Sequence, residues 1–186
     1  MDRIASICKR INHVQRRINL VQKIFITNGM ARCGKDTFAQ ILDEIVPTLK
    51  YSSIDKVKSI AKQCGWNGGK SEKDRKFLSD LKQLTTEYSD MSFEDIRYNI
   101  DKFKHEDIYQ VMLIDVREPK EIERAKQAFN AKTILIENNR VKNINSNSSD
   151  ANVFNYTYDF IIQNNGTLDD FRNNIYKFAC AEILDV

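Results

Sequence analysis

The sequence predicts an α/β fold of three layers, with a parallel sheet of about five strands between flanking helices and one further amphipathic helix at the N-terminus. Three observations carry this. Short apolar runs of strand length alternate with longer segments whose apolar residues recur three and four apart. One run, Val111-Met112-Leu113-Ile114, is apolar throughout and ends in Asp115, as a strand buried on both faces does. The length of 186 residues and an apolar share of 41% supply one ordinary core.

In chain order, Ile4, Ile7, Ile11, Val14, Ile18 and Val21 form one stripe of a helix of about six turns at 3.6 residues per turn. Its regularity predicts a helix docked either against the body or, by self-association, against a second copy. It divides the chain into a leader, 1–22, and a main domain, 23–186. Ile24-Phe25-Ile26-Thr27 is the first strand. Phe38, Ile41, Leu42, Ile45 and Val46 mark a helix that Pro47 ends. Leu49 to Ser52 reads as a weak second strand. Val57, Ile60, Ala61 and Cys64 give a short helix stopping at Gly65. Trp66, in the loop that follows, is expected to anchor it.

Ser71 with Asp74 forms a capping box for a helix carrying Phe77, Leu78, Leu81, Leu84 and Tyr88 on one face. Ser92 with Asp95 repeats the signal for a helix through Phe93, Ile96, Ile100 and Phe103. After the Val111 strand, Pro119 opens a helix through Ile122, Ala125 and Phe129. Thr133 to Ile136 is the next strand. Residues 138–157 are polar, Asn-rich and aperiodic, which predicts a loop or cover. Phe160 to Ile162 is the last strand, and Leu168 to Leu184 the last helix.

Charge narrows the partners. There are 29 Lys and Arg against 26 Asp and Glu, a net +3. Residues 1–23 contain six of the bases and one acid, so the remainder is −2 and offers no broad nucleic-acid surface. No apolar stretch reaches the roughly 18–20 residues of a membrane span. Cys8, Cys33, Cys64 and Cys180 lack metal-ligand spacing, and no secretory signal is present. They read as reduced thiols of a cytoplasmic protein.

The chemistry is concentrated between the first strand and the first helix. Gly29-Met30-Ala31-Arg32-Cys33-Gly34-Lys35-Asp36-Thr37 has the spacing Gly, four residues, Gly, Lys. Glycines let backbone N–H groups turn inward around an anion, and the helix N-terminus adds its dipole. Lys35 reaches the terminal phosphates as a point charge. The residue after the lysine is Asp36, where Ser or Thr normally holds Mg²⁺. Either Asp36 faces the metal through water, or Thr37 takes over some of its role. Asp115, at a strand end, suits the acid that holds the metal or its waters. Arg117 follows at the carboxyl end of that strand, where open α/β sheets bind ligands. His13 and His105 are isolated. A phosphate acceptor needs no base, only cations that let two phosphates approach in line, and Lys35, Arg32, Arg117 and Arg140 supply them.

These residues resemble a known family. Arg32-Cys33-Gly34-Lys35-Asp36-Thr37 is similar to the Arg-Ser-Gly-Lys-Asp-Thr loop of the deoxynucleoside monophosphate kinases of tailed phages and their bacterial relatives. Ser52-Ser53-Ile54-Asp55-Lys56-Val57-Lys58 resembles their segment after the second strand. Tyr158 to Thr167 resembles the late strand and turn shared with dephospho-coenzyme A kinases. The resemblance covers about residues 23–184. It implies a nucleoside-monophosphate-kinase-like P-loop fold, ATP as donor and Mg²⁺. It implies further that Gly34, Lys35, Asp36 and Thr37 hold the donor phosphates and metal, beside Gly29 from the loop spacing and Asp115 from its strand end. Asn164, Asn165 and Gly166 would pass beside the adenine. Asp55, Lys58 and Arg75 would surround the acceptor, and Arg140 would be the cover arginine.

The expected activity is therefore phosphoryl transfer from ATP to a nucleoside or deoxynucleoside monophosphate. Two alternatives remain at this stage: a dephospho-coenzyme A-like alcohol acceptor, with Asp55 as base, and a non-catalytic nucleotide-binding module.

Overall fold

The computed structural model describes residues 21–141 and 152–184. The helix expected over 1–22, with any self-association through it, and the stretch 142–151 of the expected cover lie outside the described residues. The chain divides into two compact units, one running to Lys50 and resuming at Asp107, the other spanning Tyr51–Glu106.

The first unit is built on a five-stranded sheet. Its strands are β1 (Lys23–Asn28), β2 (Thr48–Ser52, entering at the unit's edge), β3 (Val111–Asp115), β4 (Lys132–Glu137) and β5 (Phe160–Gln163), ordered β2-β3-β1-β4-β5. β1 pairs in parallel with β3, setting Thr27 opposite Asp115, and with β4, setting Asn28 opposite Leu135. The helices are α1 (Lys35–Ile45), α5 (Pro119–Phe129) and α6 (Leu168–Ala179), the last extended by a π-helical turn, Cys180–Leu184. Strand β3 is apolar throughout its buried length, Val111 to Ile114, because helices cover both faces, whereas buried β1 turns from Phe25 and Ile26 to the polar Thr27 and Asn28 at its carboxyl end. Phe25 and Phe38 both meet Phe178 of α6, with ring centroids 5.3 and 6.1 Å away. Each such buried side chain contributes about 1.5–3 kcal/mol. The expected α/β architecture is observed, and β1 lies where connections leave the sheet in both directions, so its carboxyl end is the switch point at which such sheets bind ligands.

Asp159 fixes where β5 begins. Its Oδ2 accepts from the Thr133 backbone N–H (2.8 Å) and hydroxyl (2.9 Å), and its Oδ1 from Lys126 Nζ (2.7 Å). Burial disfavours the charge, but the Lys126 ammonium and the two Thr133 donors outweigh it, so the carboxyl titrates below its ordinary value. Its stabilising effect is complete above the unfolded-state pKa and fades as pH falls through the lower folded one, below about pH 4. Asp159→Asn should thus cost about 1–2 kcal/mol at neutral pH and shrink the difference from wild type in acid. Urea midpoints at pH 7 and pH 3 check this.

The second unit holds α2 (Asp55–Gln63), α3 (Glu72–Ser89) and α4 (Met91–His105). The capping box at Ser71 and Asp74 opens α3 as expected, with the Asp74 N–H donating to Ser71 Oγ at 3.2 Å. The apolar stripe of α3 is not core. Leu84 is 65% and Tyr88 90% exposed, so the helical spacing located the helix without locating its burial. The second capping signal is corrected. Helix α4 starts after Asp90, which turns the chain in the left-handed region (φ 53°), with no side-chain cap. Ser92 is buried inside the helix, and Asp95 accepts instead from the Tyr51 hydroxyl. Trp66 is half-buried and closes its own loop, its indole N–H donating to the Gly69 carbonyl at 3.2 Å. Among the described residues, no helix is long and apolar enough to cross a membrane.

Candidate phosphate-binding site

The loop between β1 and α1 has the geometry its spacing requires. Gly29 (φ 149°) and Gly34 (φ 109°) hold conformations that side chains resist, and Arg32 sits between them in the left-handed region at φ 64°. Gly34 then caps α1 without any side-chain bond, so the helix N-terminus opens directly onto the loop. Lys35 reaches back over the loop. Its ammonium donates to the Gly29 carbonyl at 2.6 Å and the Met30 carbonyl at 3.0 Å, and lies 3.8 Å from Cys33 Sγ. Burial pushes the Cys33 thiol up, against the pull of Lys35, so the sulfur stays protonated as loop packing.

Asn28 anchors the loop's entry, a role the sequence did not reveal because Asn-Gly reads only as a turn. It is 1% exposed. Its Oδ1 accepts from the Gly29 N–H (2.8 Å), and its Nδ2 donates to the Arg117 carbonyl (3.1 Å) and the Tyr158 hydroxyl (2.7 Å). Tyr158 in turn donates to the Val153 carbonyl at 2.8 Å. Burial pushes the Tyr158 hydroxyl up to about 12, so it remains a neutral donor at any working pH.

The donor-side turn joins the same loop. Asn164 Nδ2 donates to the Cys33 carbonyl at 2.8 Å, and the Asn164 carbonyl accepts from the Arg140 guanidinium at 3.2 Å. Asn165 Oδ1 accepts from the Asn139 N–H at 2.7 Å. Gly166 lies against Asp170, the partner of Thr167 in a capping box that opens α6. The structure thus brings Gly29, Gly34, Lys35, Arg140 and Asn164 to one place. Arg32 and Arg117 are exposed at its edge, and Thr37 is half-buried on the first turn of α1. Asp55, Lys58 and Arg75 belong to the second unit. There Asp55 accepts from the Ser52 N–H at 3.1 Å and pairs with Lys58 at 3.2 Å, and Arg75 is exposed.

The acidic pair is gathered by a residue that sequence reasoning missed. Lys50 of β2 is ion-paired with Asp36 and lies 3.1 Å from Asp115 Oδ2, while Asp115 Oδ1 accepts from the Thr27 hydroxyl at 2.5 Å. Burial works against the Lys50 charge, but the two carboxylates overcome it and raise its pKa above that of an ordinary lysine. Two carboxylates from separate elements therefore already converge on one cation. Such a hard oxygen set fits Mg²⁺, which keeps several waters and binds through one or two carboxylates plus substrate phosphates. Among the described residues, no cluster of three or more His, Cys, Asp or Glu is placed to hold a metal ion.

The fold has solved counterparts. Dephospho-CoA kinase from Campylobacter jejuni superposes with a TM-score of 0.50 at 18% identity, over 88% of this chain and 98% of that one. Shikimate kinase from Aquifex aeolicus gives 0.46 at 13% identity, over 86% and 98% of the two chains. Thymidylate kinase from Candida albicans gives 0.44 at 9%, over 88% and 93%. No family model and no curated protein matches the chain. The chain has the P-loop kinase fold.

Proposed function

We propose that this protein is a P-loop phosphotransferase that moves the terminal phosphoryl group of ATP to a nucleoside or deoxynucleoside monophosphate. The observation that supports this most is the loop itself: Lys35 over Gly29 and Met30, a helix N-terminus beneath, and Asp36 and Asp115 sharing one cation beside it. Together these form a cradle for polyphosphate with its metal.

In this reading Lys35 exchanges the loop carbonyls for donor phosphate oxygens and follows the charge that builds on them during transfer. Asp36 and Asp115 would hold Mg²⁺, with Thr37 one place further along the same turn. Mg²⁺ bound there would supply neutralisation of phosphate charge. Asn164, Asn165 and Gly166 line the adenine side. Arg140, tethered to the Asn164 carbonyl, is placed to close on the phosphates, with Arg32 and Arg117 at the rim. Asp55, Lys58 and Arg75 serve the acceptor. A monophosphate is already anionic at pH 7, so no side chain has to deprotonate it. The loop Arg32 to Thr37 supports the kinship with phage-type deoxynucleoside monophosphate kinases.

An alcohol acceptor is the second reading, since the similar Campylobacter jejuni protein is named a dephospho-CoA kinase. It would assign as base Asp55, whose carboxylate accepts from the Ser52 N–H and the Lys58 ammonium. The test is a panel of all common ribo- and deoxyribonucleoside monophosphates, with dephospho-coenzyme A included, each with ATP and Mg²⁺. The expected result is ADP plus a nucleoside diphosphate for at least one monophosphate. Turnover with dephospho-coenzyme A alone would establish the second reading. Tight ATP binding with no acceptor-dependent turnover would leave a nucleotide-binding module.

A further inference from the structure

Lys50 has no part in the phosphate chemistry above, yet it stands between two carboxylates of the first unit. Its ammonium contacts Asp36 and lies 3.1 Å from Asp115 Oδ2, the two carboxylates assigned to the metal. An ammonium at that distance is in direct contact, so it competes by charge and by space with a metal ion or its water for the same oxygen. The side chains of Lys50 and Asp115 are 29% and 18% exposed, whereas Asp36 is 96% exposed. The Lys50–Asp115 contact is therefore the sheltered one, where solvent screens charge least.

We propose that Lys50 is an internal counter-ion that keeps free divalent metal off Asp36 and Asp115, so that metal enters together with nucleotide phosphates. One positive charge against two negative ones removes much of the field that would attract a bare cation. The ammonium sits on a flexible four-carbon stem, so its head can turn to an arriving phosphate while the backbone of β2 stays in place. The phosphates supply what a free ion lacks: a new partner for Lys50 and additional oxygen ligands for the metal. Lys50 is thus a positioning residue that orders metal and nucleotide entry. The consequence for turnover rests on the kinase reading; the contact itself does not.

The probe is Mn²⁺ alone, titrated into the full chain without nucleotide and followed by electron paramagnetic resonance of the unbound ion. Wild type should bind it weakly. Lys50→Met should bind it about tenfold more tightly or better, because the competing charge is gone. Lys50→Arg should stay weak, since it keeps the charge. Adding Asp115→Asn to Lys50→Met should abolish the gain. Circular dichroism verifies folding, and Lys50→Gln replaces Lys50→Met should the latter not fold. Affinity in the charge-removed variant no higher than wild type would overturn the proposal, as would a gain that survives Asp115→Asn. No turnover enters these readouts. A failed acceptor panel with tightened Mn²⁺ binding would remove the kinase reading and leave this one, and the opposite pattern would do the reverse.

Discussion

Lys35→Ala is expected to reduce turnover at saturating substrate about a hundredfold or more, because removing a preorganised charge at such a site forfeits roughly 3 kcal/mol of transition-state stabilisation. The ammonium is held by two loop carbonyls, at 2.6 and 3.0 Å, so it stands at the loop before any phosphate arrives. That pre-positioning is what makes the charge effective. Phosphoryl transfer requires little covalent work from the protein, so charge placed along the path is most of what it contributes. Removing the ammonium frees two carbonyls on a partly exposed loop, which water can satisfy, so the unfolding midpoint should fall only slightly. ATP affinity should weaken less than the rate, since the charge matters most as it moves between phosphates. Single-turnover rates, ATP titrations and a thermal melt separate these effects. A variant with a tenth or more of the wild-type rate would place Lys35 outside the transfer path.

Much of this arrangement is legible in the residues because the local signals agree with the tertiary ones. Val111 to Ile114 is apolar throughout because helices cover both faces of the sheet, and the same feature identifies Asp115 as the first polar residue at its end. The loop spacing needs only chain-local geometry, so it too could be read directly. Lys50 could not. Its meaning comes from β2 lying beside β3, a neighbour sixty residues away in sequence, and a lysine in a short strand carries no sign of what stands across from it. A search for a cation on the strand that flanks the acidic strand end would have found it. Asn28 was hidden for the same reason: two of the three partners of its side chain, the Arg117 carbonyl and the Tyr158 hydroxyl, lie in other segments. The α3 stripe shows the converse failure. Periodicity reports that a face is apolar, not that something covers it.

Gly29→Ala should be the most damaging single methyl in the chain. A Cβ there would stand 2.5 Å from the Ile136 carbonyl oxygen and 2.6 Å from Cys33 Sγ. The first is backbone of β4, held in register with β5 through the pair Ile136 and Ile162. The second is a thiol that is 1% exposed and has no open side to move toward. Overpacking of about 1–3 kcal/mol therefore adds to backbone strain of about 1–2 kcal/mol at a φ of this kind. Two other glycines calibrate the claim. At Gly34 the nearest atom is Asn164 Nδ2, the end of a side chain, so Gly34→Ala should lose the Asn164 bond to Cys33 at a smaller cost in stability. At Gly65 nothing lies within 4 Å and only the strain of φ +93° remains, about 1 kcal/mol. Urea midpoints should fall in the order Gly29→Ala, Gly34→Ala, Gly65→Ala, with the first the least stable. ATP binding should be lost in the first as well, because the Gly29 carbonyl that positions Lys35 would be displaced with it. Equal midpoints for Gly29→Ala and Gly65→Ala would mean that β4 yields to the loop, and that the close approach of the two is not what shapes the phosphate cradle.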